Sequence, residues 1–495
     1  MGWLILAIFA AAIVPAAAAV WLRPILALYA LAIGLVLHNA VFMLLYAAGA
    51  RGWQLTVAQS WKEVLFAVAI CRVCRDAWRE RQLPFRPHAV DAAATVFIAL
   101  TVVYALAPQH LLDGAADTHA RLYGLRHLLI APLAYLLGRA LAPSSEQLAK
   151  LVVIVIGSAA VVTVAGIAEE YLVSVERWRA LGVARYFHDQ LAYPQGYGPG
   201  GLPENFVFNA TDGVFRRLVS FFLSSIGAAY FLVAAVCLAA AGAAARVRRG
   251  LVAALVLVAF AGLLFTFTRA AFLALAGGLV VLSATARRRA PAIAAGLVVA
   301  VGFAFAAAFP SIAPRTHFLR EDLARQAALA AKTGRKPASD PLRSSLRLSD
   351  PSSRSHLDEL ESGTRSIVSH PQGYGVGNSG STAARFGVVG RAGESFYLEV
   401  GADVGVAGLV AWLVFTVLVL HALFVRARWS SAPFDRRLAA GVLAATAALS
   451  AAAVITDVWG SPWPAYLVWS LAGAALAAAP QRAPEPQVRR RLVAA

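Results

Sequence analysis

HPQGYGVGNSGSTAARFGVVGRAGESFYLEVGADVGVAGLV, residues 370–410, begins outside any hydrophobic run and ends inside one. Its first half is polar and rich in glycine, and from Glu394 onward it turns into a long apolar helix. The stretch thus carries an ionisable side chain, Glu394, into the mouth of a membrane helix. A charge at the hydrocarbon boundary is costly, so such a group is a functional candidate by default.

The surrounding chain has 495 residues, of which 60% are hydrophobic and 14% charged. A soluble fold of this length cannot bury so much apolar surface, so lipid is the solvent for much of it. The net charge of +18 raises the question of nucleic acid. Its placement answers otherwise, because the basic residues stand in short clusters between apolar runs, at 72–86, 246–249, 287–289, 426–437 and 489–491. That is the positive-inside pattern of a polytopic membrane protein, without the aromatic-interleaved basic stripe of a nucleic-acid binder. Three cysteines give no disulfide framework. Cys71 and Cys74 match CxxC but have no second pair and no histidine partner, so they read as small membrane-helix residues rather than a zinc site. The first run ends PAAAAV (15–20), similar to a cleavage site, but it lacks a charged leader and flows into the next run; a retained first span is expected.

Apolar runs long enough to cross a bilayer fall near 3–22, 24–48, 58–75, 89–107, 123–141, 148–168, 217–243, 249–266, 268–285, 291–309, 396–425, 434–456 and 462–479. The expected fold is therefore all-α and polytopic, with about 12–13 transmembrane helices. With the basic clusters in the cytoplasm, the outer segments are 108–122, 169–216, a tight turn near 267–269, 310–395 and 457–461. Residues 1–309 then form ten spans with an outer loop near 169–216. Residues 310–395 form a large outer loop with short helices at 320–332 and 355–369, and 396–480 the last spans. The tail 481–495 is expected to be cytoplasmic and disordered. If every run spans, the N-terminus lies outside; if one early run is re-entrant, both termini lie inside. There is no internal repeat of the kind transporters show, which weighs against a lipid-linked oligosaccharide transporter.

Each polar residue at the outer boundary has a bland reading and a functional one. Arg269, in LLFTFTRAAFLALAGG, is either a snorkelling helix-end arginine or a cation facing a central cavity. Arg216 and Arg217 enter the next run from outside, where basic residues are disfavoured. A bound anion explains them, and so does a salt bridge to Asp212 or Glu204. The glycine-rich Gly373–Gly380 segment, with Tyr374, Gly375 and Gly377, is a backbone nest for an anion or a plain loop. His370, before Pro371, reads first as structural. Glu394 is a helix-start carboxylate favoured by the dipole, or a general base. Glu399 and Asp403 share one face of the following helix, and Gly401, Gly405 and Gly408 suit close helix packing.

In combination these segments resemble the O-antigen ligase/polymerase superfamily of bacterial membrane glycosyltransferases, the Wzy and WaaL type. RRLVSFFLSSIGAAYFL is similar to the family's Arg-x-x-Gly/Ser-Phe helix entry, and TFTRAAFLAL to its Ser-Arg-Gly-Ala-like turn. HPQGYGVGNSG followed by ESFYLEVGADVGVAGLV is similar to its His-Pro-x-Gly-x-Gly-x-Gly loop and HNxYLxxxxExGxxG helix. Tyr397, Leu398, Gly405 and Gly408 agree with that last motif, Asp403 stands in its Glu place, and Arg354 falls where the family often has Arg. The resemblance covers roughly 210–425.

It implies a GT-C-like enzyme of the bacterial inner membrane with a periplasmic site and no metal, nucleotide or other cofactor. Its partners would be an undecaprenyl-diphosphate-linked oligosaccharide donor, a glycan or lipid acceptor and the bilayer, with a chain-length regulator as an optional addition. Carried over, Arg217 and Arg269 hold the diphosphate, and Arg216, Arg354, His370, Tyr374, Gly375, Gly377 and Tyr397 line the substrate site. The sequence departs from the family at one place: Glu394 replaces its His and Ser395 its Asn. A carboxylate still accepts a proton, and the departure favours a polymerase of repeat units over a ligase to lipid A-core.

Overall fold

The computed structural model describes residues 2–192, 201–210, 213–244, 247–316, 351–393 and 395–477, without the side chains of 209, 210, 213 and 351–356. Every expected apolar run contains helix, but the run expected from 217 becomes α-helical only at Ser225. The helices are α1 Gly2–Leu22, α2 Ile25–Ala47, α3 Trp53–Gln59, α4 Trp61–Glu80, α5 Ala89–Leu106, α6 Thr118–Leu141, α7 Ser145–Leu172, α8 Val175–Ala180 and α9 Val183–Arg185. They continue with α10 Ser225–Ala240, α11 Arg249–Phe265, α12 Arg269–Ala286, α13 Arg289–Ile312, α14 Pro351–Ser369, α15 Gly380–Arg385, α16 Phe396–Trp429, α17 Pro433–Ala452 and α18 Trp469–Leu476. Seven of them, α1, α2, α5, α7, α12, α13 and α16, are long and apolar enough to cross a membrane by length and composition. The protein is an all-α, multi-pass membrane protein. The other expected spans are helical too, but shorter or more charged. The helix expected at 355–369 begins earlier, at Pro351, whereas 320–332, Glu394 and the tail from 478 lie outside the described residues.

The five expected outer segments meet one another. Asn378 Oδ1 accepts the N–H groups of Ala115 and Ala116 at 2.7 and 3.0 Å. A small antiparallel sheet joins β1 Val207–Ala210 and β2 Gly213–Arg216 to β3 Arg315–Thr316, with Phe208 opposite Phe215 and Phe215 opposite Arg315. Arg385 reaches Gln190 O at 3.3 Å, and Ser381 Oγ approaches Asp457 Oδ2 at 3.5 Å. Such pairing covers backbone groups that would otherwise face lipid or a dry interior. Trp3 packs edge-on to Trp53, near the segment that Tyr46 ties to Asp189, so α1 starts at this same end.

The basic clusters pair at the opposite helix ends. Arg139 forms a two-pronged ion pair with Asp91, both contacts at 3.0 Å, and donates to Leu476 O and Arg86 O. Arg426 pairs with Asp435 at 2.9 Å. Between the two ends the core is aromatic. Trp412, Phe415, Trp459 and Trp469 are buried in mutual ring contact, Phe415 stacked on Trp469 with centroids 4.9 Å apart and the other pairs edge-on or tilted.

Candidate functional site at the outer end

Two polar clusters occupy the end of the bundle where the expected outer segments meet. The first lies where the chain after β2 meets the turn between α11 and α12. Arg217 is not helical: its N–H donates to Phe206 O at 3.0 Å, and the next residue, Leu218, donates to Phe265 O at 3.0 Å. Its guanidinium donates from Nε to Thr266 O at 2.8 Å and from Nη2 to Thr268 Oγ1 at 3.0 Å. Thr268 is the N-cap of α12 and Arg269 its first residue. Arg217 is thereby fixed to the very turn that presents Arg269. Phe267 takes φ 49° there, the left-handed bend that lets α12 follow α11 so closely.

Both guanidiniums are half-buried beside the positive end of α12. Arg269 and Glu170 both lie within electrostatic reach of the Arg217 guanidinium, the first repelling it and the second attracting it. Two like charges held together beside a helix N-terminus form a site that an anion stabilises.

Arg216 turns elsewhere. It is 4% exposed, pairs with Glu169 and donates to Val173 O. The salt-bridge reading of this residue therefore holds, with Glu169 in place of the expected Asp212 or Glu204. Its flank lines a cavity of 330 Å³ together with Glu170, Tyr171, Arg179 and Arg315, within the size range of small-ligand pockets.

The second cluster surrounds the start of α16. At Gly405 the helix breaks, with φ 72° and ψ −179°. That conformation belongs to glycine, and a Cβ there would lie 2.7 Å from Gln372 O. The break frees Ala402 O and the Val406 N–H, and the glycine-rich loop takes up both: Tyr374 N–H donates to Ala402 O at 2.7 Å and Val406 N–H to Pro371 O at 2.9 Å. Asp403, 4% exposed, accepts the Gly377 and Asn378 N–H groups at 2.9 and 3.1 Å and the Ser379 hydroxyl at 2.7 Å.

This arrangement corrects three expectations. The nest at Gly373–Gly380 does hold an anion, but the anion is the protein's own Asp403 carboxylate, so Gly377 has no N–H left for a ligand. The Gly375 carbonyl accepts from Asn378 Nδ2 at 2.9 Å, and Gln109 fills the space beside Gly375, so this residue too serves the loop. Gly405 is a hinge for the loop rather than a flat surface for helix packing.

His370 and Tyr374 are likewise committed inward. Their rings stack at 4.1 Å, and His370 Nε2 lies 3.2 Å from Leu112 O. Tyr397 donates its hydroxyl to Ser450 O at 3.0 Å, strapping α16 to α17. Arg354 lies on the first turn of α14 with its side chain outside the description, and Glu394 lies outside the described residues altogether. The neighbours of Glu394 are fixed: Phe396 N–H donates to Ala453 O at 3.2 Å.

Beneath the loop, Glu399 faces His127 of α6. His127 Nε2 lies 3.5 Å from Glu399 Oε2 and 3.3 Å from Asp457 Oδ2. One turn away on α6, the Tyr123 ring lies between the guanidiniums of Arg126 and Arg385, 4.4 and 4.6 Å from its centre. Arg126 pairs with Glu63 at 2.7 Å. Sequence reasoning passed over His127 and Asp457. The available signal was weak in each case: a lone histidine inside an apolar run, and an acid in a short outer segment.

Residues 253–413 match the family described as O-Antigen ligase. The matched interval contains Arg269, the glycine-rich loop, Glu394 and the broken helix, while Arg217 and His127 fall outside it. No curated protein matches the chain.

Proposed function

We propose that this chain, whose residues 253–413 match the O-Antigen ligase family, belongs to the O-antigen ligase/polymerase superfamily and polymerises lipid-linked oligosaccharide repeat units at the outer face of the bacterial inner membrane. One observation carries the reading: Arg217 is hydrogen-bonded to the turn that presents Arg269 at the N-terminus of α12. A polyprenyl diphosphate headgroup has the charge and the depth at the lipid boundary to lie against this pair. Arginine is suited to it because its fork binds phosphate oxygens in two prongs.

In the transfer, the bond between the anomeric carbon and the diphosphate oxygen breaks while the acceptor hydroxyl oxygen bonds to that carbon. Arg217 and Arg269 stabilise the negative charge that grows on the departing diphosphate. Glu394 takes the proton from the acceptor hydroxyl, or orients it. The cavity beside Arg216 is of a size to take a sugar unit of donor or acceptor. A single transfer to another acceptor, the ligase reading, draws on the name of the matched family. The Glu394-for-His replacement weighs against it.

Reconstituted protein supplied with an undecaprenyl-diphosphate oligosaccharide is expected to yield a ladder of lengthened glycans. Arg269→Ala and Glu394→Gln should each lower the rate by about 10²–10³-fold, the loss typical when a charge-stabilising group is removed, with unchanged melting temperature. Wild-type rates in both variants would remove the site assignment. A single product in place of a ladder would turn the reading to the ligase.

A further inference from the structure

The geometry points to a divalent-cation site, Zn²⁺ by preference, formed by His127 Nε2, Glu399 Oε2 and Asp457 Oδ2, which ties α6, α16 and the 457 turn together at the outer end. The ion proposed here ties helices together and has no role in the glycan transfer proposed above.

The spacing is the first argument. Nε2 lies 3.5 and 3.3 Å from the two carboxylate oxygens, and the three ligand atoms all fall within 4.8 Å of one another. In a tetrahedral zinc site with bonds of about 2.0–2.1 Å, neighbouring ligand atoms are about 3.4 Å apart. Around octahedral Mg²⁺ adjacent oxygens approach to about 3.0 Å; the two histidine–carboxylate edges, 3.5 and 3.3 Å, lie nearer the tetrahedral spacing. One imidazole with two carboxylates is also a donor set that zinc accepts.

The second argument is what the side chains lack. His127 is 6% exposed and Glu399 3% exposed; the two carboxylate oxygens at 3.3 and 3.5 Å are the polar atoms facing His127 Nε2, and Glu399 Oε1 has no hydrogen-bond partner among the described residues. Buried polar atoms normally find a partner, and each exception asks for a reason. Here the imidazole nitrogen is aimed at the gap between two carboxylates. With a neutral imidazole the cluster carries two negative charges in a nearly dry site. A dication neutralises both, and buried charges of this kind are ordinarily paired or coordinate a metal. Asp403, the next carboxylate on α16, needs no such help, because three donors already satisfy it.

The third argument is access. The Asp457 side chain is 18% exposed, and Ser381, which is exposed, lies 3.5 Å from its Oδ2. An ion can enter from this side and keep a water in the fourth position. The backbone holds the ligands in place: a Cβ on Gly460 would lie 1.9 Å from His127 Cε1, and one on Gly380 1.9 Å from Glu399 Oε1. Each side chain is packed directly against a glycine on that side.

The test uses the full-length protein in detergent, stripped with a chelator and titrated with Zn²⁺ alone. The expected result is one bound equivalent by elemental analysis, a raised melting temperature, and with Co²⁺ the visible absorption of a four-coordinate ion. Asp457→Asn, at the partly exposed ligand, should weaken Zn²⁺ binding by more than ~100-fold, beyond the range for a lost outer-shell partner. It serves as the decisive variant should His127→Ala fail to fold. Stripped wild-type protein that binds no stoichiometric Zn²⁺ and melts at the same temperature with and without it would overturn the proposal, leaving a protonated histidine between two carboxylates. Undiminished binding by Asp457→Asn would overturn it equally.

Discussion

Asp403→Ala removes the anchor of the glycine-rich loop, and its cost follows from the donors it strands. The carboxylate accepts Gly377 N–H at 2.9 Å, Asn378 N–H at 3.1 Å and Ser379 Oγ at 2.7 Å, all in the buried interior. The Ser379 hydroxyl has a second acceptor, Glu399 O at 3.2 Å, and loses little. The two amides have none. A buried donor left without its acceptor costs about 1–3 kcal/mol, so the expected loss is roughly 4 kcal/mol. Asp403→Asn keeps one acceptor oxygen but turns an NH₂ toward an N–H, for roughly half that loss. Ser379→Ala should cost about 1 kcal/mol. The assay is thermal unfolding of the three variants in one detergent, paired with limited proteolysis of the 373–380 loop. Destabilisation is expected to be largest for Asp403→Ala, smaller for Asp403→Asn and smallest for Ser379→Ala, with cleavage in the loop appearing first in Asp403→Ala. Wild-type melting and a protected loop in Asp403→Ala would refute the idea that this carboxylate, rather than the surrounding packing, holds the loop.

Gly405→Ala forces a side chain into a glycine-only conformation and against Gln372 O, for an expected loss of about 3 kcal/mol. Gly296→Ala, in α13 with nothing within 4 Å of the added methyl, should instead stabilise by about 0.5–1 kcal/mol; the pair can be compared in one thermal-unfolding series. Asp91→Ala leaves the buried Arg139 guanidinium without its counter-charge and should cost about 3–5 kcal/mol, seen as lost monodisperse protein on gel filtration. Arg217→Lys keeps the charge but gives up the fork to Thr266 and Thr268. It should lower glycan transfer at least ~10-fold while the melting temperature stays near wild type, which distinguishes geometry from charge.

The alternation of apolar runs and basic clusters was legible in the sequence, because membrane insertion reads hydrophobicity and positive charge locally. So was the turn from a polar loop into a long helix in the 370–410 stretch. Arg217 and Arg269 could be singled out, since arginine at an outer helix boundary needs a reason wherever the rest of the chain lies. Only the tertiary structure decided what these residues meet. Gly373–Gly380 reads as an open nest until Asp403, on another element, is seen to fill it. Arg216 and Arg217 are adjacent in sequence, yet one is locked to Glu169 and the other to the α12 turn, because the chain is extended there and sends successive side chains to opposite sides. His127 lies far along the chain from Glu399 and Asp457, and each alone resembles an ordinary buried polar residue. Their meaning comes from separations of 3.5 and 3.3 Å between ligand atoms, and one-dimensional spacing carries no such distance across separate helices.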